Sequence, residues 1–539
     1  MKSKQRTAKK EPFFLGLDSS TQSLKATLLD GSLNILQKLT VNFDTDLPGF
    51  KTQGGVHRGA DGLTVTAPTL MWCAALDLLL EKARKADWPL GEVVAISGSG
   101  QQHGSVWFAR GGERLLRKLD PRQSLERHMA HAFSFADSPI WMDSSTTAQC
   151  RALEKALGGP QAVAALTGSR AYERFTGNQI AKRFQQDPKR YRATEHISLV
   201  SSFVASLLMG DYAPIDAADG AGMNLMNIRS RKWAGSALKA TAPGLAGKLG
   251  SIVPSHAAVG RIHQWFVRRY GFNKACAVIA FSGDNPNSLA GLRLQKAGDV
   301  AISLGTSDTV FGSLAQPRPS AEEGHIFANP VEPRGYMALI CYKNGSLTRD
   351  HVRDAVAGGS WSRFAELVEK APVGNNGCIG FFIREPEITP PILRTGISRF
   401  DGEGRPLDRF RPEVEARAVL ESQFLSMRLH GGNVGIHPVS ILATGGASVD
   451  ASVVRVMCDV LGVPVYTGDQ ADSASLGAAY RALHGWHCLK RKKFVPFAEV
   501  MAGAPAFHKA AEPDKAAHAV YTGILKQFAA LEKRVIEGK

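Results

Sequence analysis

The sequence predicts an α/β protein of more than one domain, and three observations lead to this prediction. Strand-like apolar runs alternate with helix-like runs along the whole chain. The chain has 539 residues, and chains of this length usually fold into two or more domains, each with its own hydrophobic core. A sequence pattern that predicts a β-hairpin also occurs twice, so a duplicated domain is expected.

The individual elements follow from the spacing of the apolar residues. The run TLMWCAALDLLLEKARKA, which begins at Thr69, places its apolar side chains at helical intervals and predicts an amphipathic helix on a core. The other predicted helices cover residues 452–461, 475–483 and 516–535. The predicted strands cover residues 13–17, 93–97, 277–281, 300–304, 441–444 and 463–466.

The first hairpin is FFLGLDSSTQSLKATLLD, which begins at Phe13. An apolar run leads to Asp18 and a turn rich in Ser and Thr, and a second apolar run then returns. The stretch VAISLGTSDTVFGSL has the same plan, with Thr306 in its turn. Hydroxyl-rich turns suit a phosphate, but they are also common as plain surface turns. Their repetition favours two domains that each open with a phosphate-facing hairpin, with the boundary between residues 284 and 299.

A carboxylate follows a predicted buried strand in VIAFSGDNPNSLAGL. Pro286 favours the start of a helix, which places Asp284 or Asn285 at a helix N-terminus. One interpretation is a helix cap, the usual role of Asp or Asn at this position. The other is a catalytic carboxylate at the carboxyl end of a strand, where α/β proteins hold their ligands. Such a carboxylate could accept the proton of an attacking hydroxyl, as in kinases.

Two glycines end the predicted strand in ILATGGASVD. Gly445 and Gly446 have no side chains, so a flat base or a phosphate could approach the backbone where the next helix begins. A two-glycine turn is also common between a strand and a helix that bind nothing. The chain has no G-x-x-x-x-G-K-[ST] loop, the usual sign of a bound nucleotide phosphate.

A loop with sugar-binding chemistry is predicted in ISGSGQQHGSVWF. Gln101, Gln102 and His103 are clustered there after a strand, and amides and imidazoles suit a polyhydroxylated ligand because they both donate and accept hydrogen bonds. Downstream, Arg174 lies in a polar segment punctuated by glycine. It is equally suited to sugar oxygens and to a surface salt bridge.

The composition favours a cytoplasmic globular protein. The formal net charge is +16, but Lys and Arg are spread along the chain without an aromatic-basic motif, which favours a solvated basic surface over a nucleic-acid site. The seven cysteines form no C-x-x-C pair, which indicates neither a disulfide framework nor a zinc site, and a reducing cytoplasm is expected. No apolar run is long enough to cross a membrane, and the basic first ten residues lack the apolar core of a secretory signal.

Taken together, these stretches resemble the FGGY carbohydrate kinases. The similarity runs from about Phe13 to Ala482, and the two hairpins, the Gly-Asp-Asn sequence at residues 283–285 and the Gly-Gly turn are shared with the family as a whole. Longer stretches are similar to the eukaryotic branch of the family that acts on xylulose. They are SPIWMDSSTTAQC, ERFTGNQIAK, APIDAADGAGMNL, YKNGSLTRDHVR and SWSRF.

The resemblance implies two actin-like, ribonuclease-H-like domains with the active site in the cleft between them. It implies an N-terminal domain over residues 12–288 for the sugar and Mg²⁺, a C-terminal domain over residues 289–489 for the nucleotide, and a tail with a helix over residues 490–539. The implied reaction uses ATP and Mg²⁺ to phosphorylate the terminal hydroxyl of D-xylulose. The implied partners are a small sugar and a nucleotide, with no nucleic acid and no membrane, and a homodimer is left open.

The resemblance also implies roles for single residues. Asp284 matches the catalytic base and a sugar contact, and Asp18 matches the residue that binds or orients Mg²⁺ beside the transferring phosphate. The implied sugar-binding residues are His103, Arg174, Asp284 and Asn285. The implied ATP-binding residues are Thr21, Thr306, Trp361, Gly445 and Gly446.

Two departures from the family pattern bear on these roles. After GGAS the family has an asparagine that contacts the nucleotide, whereas this chain has Val449, with Asp450 adjacent and able to take its place. Bacterial relatives have a methionine in the loop that reads QQHG here, so the sugar is less firmly implied than the reaction.

Other functions remain open at this stage. A kinase of the same family could act on ribulose, gluconate or an alditol. A non-catalytic sugar-binding protein or actin-like ATPase predicts that the acid or the sugar-facing residues are lost, whereas Asp18, His103, Arg174 and Asp284 are all present.

Overall fold

The computed structural model describes residues 11–468 and 472–538, and they form two compact units. The first unit comprises residues 11–295, 327–334 and 472–504. The second unit comprises residues 296–326, 335–468 and 505–538. Each unit is built from chain segments that are distant in sequence.

The longest strands of the first unit, with seven or eight residues each, all belong to its main sheet. In chain order they are β1 (Phe13–Ser19), β2 (Ser23–Leu29), β3 (Ile35–Asn42), β4 (His57–Arg58), β5 (Val65–Pro68), β6 (Val93–Gly100), β7 (Ser105–Ala109), β8 (Asp137–Pro139), β9 (Thr194–Leu199), β10 (Ile215–Asp216), β11 (Met226–Asn227), β12 (Lys232–Trp233), β13 (Ile252–Val253), β14 (Ala258–Arg261), β15 (Ala277–Ile279) and β16 (Ser282–Gly283).

The same part of the chain also forms helices, which alternate with these strands. They are α1 (Phe43–Asp46), α2 (Thr69–Lys85), α3 (Gly112–Arg117), α4 (Leu125–Met129), α5 (Thr147–Leu157), α6 (Pro160–Thr167), α7 (Thr176–Gln186), α8 (Pro188–Ala193), α9 (Val200–Met209), α10 (Ala217–Gly220), α11 (Gly235–Thr241), α12 (Ala246–Leu249), α13 (Gln264–Tyr270) and α14 (Asp284–Gly291).

The main sheet of the first unit has the strand order β14-β15-β6-β1-β2-β3, and β16 pairs with β6. Strands β1 and β15 run parallel to β6, whereas β1, β2 and β3 form an antiparallel meander. β1 is buried almost throughout, and its apolar residues belong to the same hydrophobic core as those of α2 and α9. In this core the ring centroids of Trp72 and Phe203 are 6.3 Å apart. The carboxyl ends of the parallel strands therefore meet at one edge of a rigid sheet.

The second unit contains the remaining strands and most of the remaining helices. Its strands are β17 (Asp299–Leu304), β18 (Asp308–Leu314), β20 (Tyr336–Tyr342), β21 (Ile379–Ile383), β22 (Gly396–Phe400), β23 (Pro406–Leu407), β24 (Ser440–Thr444), β25 (Val465–Thr467) and β26 (His508–Ala511), and β19 (His325–Ala328) lies where the chain passes between the units. Its helices are α15 (Ser346–Ala357), α16 (Trp361–Lys370), α17 (Pro412–Asn433), α18 (Ala451–Leu461) and α21 (Lys515–Ile536), while α19 (Ser473–Arg491) and α20 (Phe497–Val500) belong to the first unit.

The main sheet of the second unit contains the run β20-β18-β17-β24-β25-β26. β17 and β18 are antiparallel, and β17, β24 and β25 are parallel to one another. The tail contributes to this unit, because β26 pairs with β25 and α21 is tied to α17 through Tyr521, whose hydroxyl lies 2.8 Å from both Arg417 and Glu421.

The structure confirms the predicted elements with small shifts of their ends. Both hairpins form as antiparallel pairs, and the helices predicted from Thr69, at 452–461 and at 516–535 are present. The strand predicted over 277–281 ends earlier, at Ile279, and the helix predicted over 475–483 extends over Ser473–Arg491. No helix among residues 11–468 and 472–538 is long and apolar enough to span a membrane.

The two units differ from the predicted domains, because each unit combines separate segments of the chain, whereas each predicted domain is one continuous segment. The prediction assigned α19 to the C-terminal domain, whereas this helix lies against β1 and α14 in the first unit. Glycines allow the approach of α14 and α19: a Cβ atom at Gly477 would overlap the carbonyl oxygen of Asn287, and one at Gly291 would overlap that of Ser473. A local sequence pattern cannot reveal such a return of the chain.

Replacing Gly477 by alanine tests this close helix packing. Gly477→Ala is expected to lower the free energy of unfolding by about 1–3 kcal/mol, because the added methyl group has no room between α14 and α19. Gly523→Ala on α21 is the matched control, since a Cβ there meets open space and alanine is the better helix former. Differential scanning calorimetry should show a lower Tm for the first variant and an equal or higher Tm for the control. Equal Tm values for wild type and Gly477→Ala would contradict the packing described.

Candidate functional site

The carboxyl edge of the parallel strands in the first unit brings together the predicted acid and sugar residues. Asp18 lies near the end of β1, in register with Ser99 of β6. β6 leads into the loop that holds His103. β16 pairs with the end of β6 and leads directly into α14, whose first residue is Asp284. Parallel α/β sheets usually bind their ligands at this edge.

Asp18 is a buried carboxylate that forms no salt bridge with a described residue. Its Oδ1 atom accepts no hydrogen bond from any described residue. Burial raises the pKa of Asp18 to about 6, against the opposing effects of the Ser99 hydroxyl and the Lys25 charge. The Nζ atom of Lys25 lies 2.6 Å from Oδ1 of Asp472 and is therefore engaged with a different carboxylate.

Asp284 is a second carboxylate at the same edge. Burial is the main cause that raises the pKa of Asp284 to about 7, and the nearby charge of Asp18 adds to it. Its Oδ1 atom accepts a hydrogen bond from the backbone N–H of Asn285 at 2.8 Å. The N-cap of α14 is Gly283, so the interpretation of Asp284 as the helix cap is wrong. The carboxylate is available for other chemistry.

Asn285 and the glutamine loop form a polar wall beside Asp284. The Nδ2 atom of Asn285 donates to Oε1 of Gln102 at 2.8 Å and to Oδ1 of Asp284 at 3.1 Å. Nε2 of Gln102 and both amide atoms of Gln101 are buried without a partner among the described residues. Because buried amides without partners are costly, this wall suits a ligand that brings its own hydroxyl groups.

His103 is held in one orientation by two contacts. Its Nδ1 atom lies 2.8 Å from the carbonyl oxygen of Gly222, and its ring stacks on Phe175 with 4.4 Å between centroids. Donation from Nδ1 to this carbonyl leaves Nε2 as the acceptor of a neutral imidazole. A Cβ atom at Gly222 would lie 2.9 Å from the ring, so a side chain there would displace it.

Arg174 lies among aromatic rings rather than beside a carboxylate. Its guanidinium carbon is 4.9 Å from the ring centroid of Tyr172 and 5.8 Å from that of Trp141. Within the described part of the chain it forms no salt bridge, so the alternative of a surface salt bridge is wrong. Trp141 in turn donates from Nε1 to Oγ1 of Thr21 at 2.8 Å. Sequence reasoning missed Trp141, although it lies in the quoted stretch SPIWMDSSTTAQC.

A third buried acid, Asp219, was also missed. Its Oδ2 atom accepts a hydrogen bond from Ser201 at 2.5 Å, while Oδ1 has no partner among the described residues. Burial raises the pKa of Asp219 to about 8, and a Cβ atom at Gly283 would lie 2.9 Å from its Oδ1 atom. The residue occurs in the stretch APIDAADGAGMNL, but nothing in that pattern distinguishes it from a surface acid.

The second hairpin has the plan of the first but different electrostatics. Thr306 is exposed in the turn between β17 and β18. The hairpin's carboxylate, Asp308, is completely buried and forms a bidentate ion pair with Arg349, with distances of 2.6 and 2.9 Å. This acid is neutralised by the protein, so the turn offers a ligand only its hydroxyl and backbone groups.

The Gly-Gly turn borders a pocket of about 1070 Å³ in the second unit. Gly445 has φ of +84°, and a Cβ atom there would lie 2.5 Å from the carbonyl oxygen of Leu304 at the end of β17. A Cβ atom at Gly446 would meet open space. Residues that line the pocket include Thr444, Gly445, Ser448, Val449, Glu369, Arg455 and His508.

Trp361 begins α16, the helix whose later residues Val368 and Glu369 line the same pocket. Trp361 itself is not among the lining residues. Its indole is partly exposed and packs edge-on against Phe364, with 5.5 Å between ring centroids. The structure thus places Trp361 on the helix that borders the pocket, rather than in its wall.

The position of the expected asparagine is occupied by an exposed apolar side chain. Val449 is 89% exposed, so no packing explains its presence at the mouth of the pocket. Asp450 caps α18, because its Oδ1 atom accepts from the N–H groups of Ser452 and Val453 at 2.9 and 3.1 Å. The replacement of the missing asparagine by Asp450 stays a prediction.

Comparison with protein families gives two matches. Residues 136–291 match the N-terminal domain of the FGGY family of carbohydrate kinases, and residues 300–486 match its C-terminal domain. The chain is 50% identical over 525 residues to the xylulose kinase of Mus musculus, covering 97% of this chain and 94% of that protein. It is also 50% identical over 506 residues to xylulose kinase 2 of Arabidopsis thaliana, covering 92% and 90%.

Solved structures show the same fold at low sequence identity. A xyloylose kinase from Brucella ovis matches with a TM-score of 0.78 at 20% identity, covering 98% of this chain and 100% of that chain. A ligand-bound xylulose kinase from Lactobacillus acidophilus matches with a TM-score of 0.76 at 17% identity, covering 97% and 98%. These likenesses confirm the predicted α/β fold.

Proposed function

Because the chain belongs to the FGGY family of carbohydrate kinases, we propose that it transfers the γ-phosphoryl group of ATP to D-xylulose. The products are D-xylulose 5-phosphate and ADP. The names of the relatives that share half of its residues support this sugar. The observation that carries the chemistry is the pair of buried carboxylates, Asp18 and Asp284, beside a polar wall at the carboxyl edge of the sheet.

Asp284 acts as the general base in this proposal. Its carboxylate accepts the proton of the terminal hydroxyl while that oxygen attacks the γ-phosphorus and the bond from phosphorus to the ADP oxygen breaks. A pKa near 7 suits this role, because a base works best when its pKa lies near the working pH. The first turn of α14 fixes the carboxylate through the N–H of Asn285. Positioning of this kind supplies most of the rate in phosphoryl transfer.

The sugar is held by His103, Arg174 and Asn285 in the first unit. His103 presents Nε2 as an acceptor, and the guanidinium of Arg174 donates. Asn285 offers its Oδ1 atom as an acceptor, because its Nδ2 group donates to Gln102 and Asp284. The oxygen-rich acceptor also satisfies the buried amides of Gln101 and Gln102. The site therefore selects a ligand with several hydroxyl groups over water, whose single oxygen cannot span these donors and acceptors.

Mg²⁺ fits the unpartnered oxygen of Asp18. Hard divalent cations prefer carboxylate oxygen, and the buried Oδ1 atom of Asp18 accepts no hydrogen bond from the residues that the structure describes. No cluster of three or more His, Cys, Asp or Glu occurs in the described part of the chain, which suits an ion held mostly by phosphate oxygens and water. When bound, Mg²⁺ neutralises the charge that develops on the transferring phosphoryl group.

The nucleotide is held by backbone turns and one aromatic ring. Gly445 and Gly446 let the nucleotide approach the backbone beside the 1070 Å³ pocket, which is large enough for ATP. Thr21 and Thr306 offer hydroxyl groups to the phosphates from their hairpin turns. Trp361 offers a partly exposed indole on which a base can stack.

We also propose a reducing cytoplasmic location. All seven cysteines are free in the structure, as expected where disulfides do not form.

The product of the reaction tests the proposed function. Incubation of the purified protein with Mg-ATP and D-xylulose is expected to give ADP and a sugar phosphorylated at C5. Phosphorus-31 and carbon-13 NMR identify the phosphorylated carbon. A phosphate at another carbon would contradict the proposed orientation of the sugar, and hydrolysis of ATP to free phosphate without a sugar phosphate would contradict the proposed function.

Removal of the proton acceptor tests the role of Asp284. Asp284→Asn is expected to lower kcat by about 10²–10⁴-fold, because the amide cannot accept the proton, while the affinity for ADP stays unchanged. Asp87→Asn is the matched control, since it makes the same change at an exposed position with positive φ that asparagine tolerates. Turnover by Asp284→Asn within tenfold of wild type would rule out the assignment.

The pH dependence of kcat/KM for the sugar follows from the same base. Only ionised Asp284 accepts a proton, so kcat/KM is expected to fall about tenfold per pH unit below a midpoint of about 7 and to level off above it. Ionisation of Asp18, with a pKa of about 6, also raises kcat/KM as the pH increases. A cation beside Asp18 stabilises its ionised form and therefore moves the midpoint of the profile to lower pH. His103→Gln tests whether His103 causes the fall of kcat/KM at low pH, and this fall should persist in that variant if Asp284 causes it. A profile that stays flat from pH 5 to 8 would contradict the prediction.

A further inference from the structure

Arg353 covers one face of Trp361. Its guanidinium carbon lies 4.6 Å from the centroid of the indole ring, the distance of a cation–π contact. Arg353 belongs to the last turns of α15 and Trp361 to the first turn of α16, so the contact joins two helices across a short loop. Nothing in the family resemblance assigns a role to Arg353.

Two carboxylates hold the guanidinium in place. Arg353 forms ion pairs with Asp350 at 3.0 Å and with Asp354 at 2.6 Å, and its side chain is 17% exposed. The two acids compensate its charge, so it contributes little net attraction for a nucleotide phosphate. Its effect is therefore chiefly on the ring that it covers.

The indole is fixed on a second side by Phe364. The two rings meet edge-on, at an interplanar angle of 82° and a centroid distance of 5.5 Å, and Phe364 is fully buried. One face of the indole lies against Arg353 and an edge meets Phe364, so the stacking on a base that we propose uses the opposite face. A cation on one face also keeps a flexible, partly exposed aromatic side chain in a single rotamer.

We propose that Arg353 is a positioning residue for the nucleotide base, acting through Trp361. The inference rests on the proposed function, in which Trp361 stacks on the base of ATP. Arg353 holds the indole in the orientation that the base meets, so less conformational entropy is lost on binding. Lysine cannot replace it fully, because a compact ammonium lacks the planar group that stacks on the ring and bridges two carboxylates.

The test compares ADP affinity and kinetic constants in three variants. Arg353→Ala is expected to raise the Kd for ADP and the KM for ATP by about three- to tenfold, with KM for the sugar and kcat within twofold of wild type. Arg353→Lys should recover part of the loss. Arg363→Ala is the matched control, because it removes an arginine two residues from Trp361 that lies on an exposed part of the same helix. Isothermal titration calorimetry with ADP gives the affinities without any need for turnover.

The outcomes separate this inference from the proposed function. An unchanged Kd in Arg353→Ala, or an equal rise in Arg363→Ala, would overturn the inference. In a Trp361→Ala background, Arg353→Ala is expected to add nothing further to the Kd for ADP, whereas an additional loss of the same size would show that Arg353 acts directly and not through the ring. An unchanged Kd in Trp361→Ala would also overturn it. Sugar-dependent release of ADP by the same preparations reports on the proposed function independently.

Discussion

The site in the first unit depends on keeping two carboxylates out of water, neither of which forms a salt bridge with a described residue. Burial raises the pKa of both Asp18 and Asp284, and the charge of Asp18 raises that of Asp284 further. The sheet supplies the rigidity that this requires, because β1, β6 and β16 hold the two acids at neighbouring strand ends. The close approach of α14 and α19 then fixes the helix that begins with Asp284.

The two hairpins have the same backbone pattern, but their carboxylates have different surroundings. In the first hairpin, one oxygen of Asp18 has no hydrogen-bond partner among the described residues, which suits a metal ion beside a phosphate. In the second hairpin, Asp308 is neutralised by a bidentate pair with Arg349, so only hydroxyl and backbone groups face a ligand. The difference comes from a single helix, α15, which brings a buried arginine to the second hairpin. An acid in a repeated motif therefore has no fixed role until its partner is known.

The sequence was sufficient for elements that depend on neighbouring residues. Both hairpins, the helix that begins at Asp284 and the turn at Gly445 follow from local apolar runs and from the backbone freedom of glycine. Contacts between distant residues could not be predicted, such as Trp141 with Thr21 or Lys25 with Asp472, since no local pattern records them. The same limit explains why the prediction placed α19 with the C-terminal domain, although this helix packs against β1 and α14.

ADP release from Mg-ATP across a panel of pentuloses, hexuloses and polyols tests most directly whether the site transfers phosphate to a sugar. We expect release that depends on the acceptor and is fastest with D-xylulose, because the polar wall beside Asp284 suits a polyhydroxylated ligand whose hydroxyl reaches the proposed base. A preference for another acceptor would keep the mechanism but reassign the residues that hold the sugar. ADP release that no acceptor stimulates would contradict the central claim that the buried carboxylates serve phosphoryl transfer to a sugar.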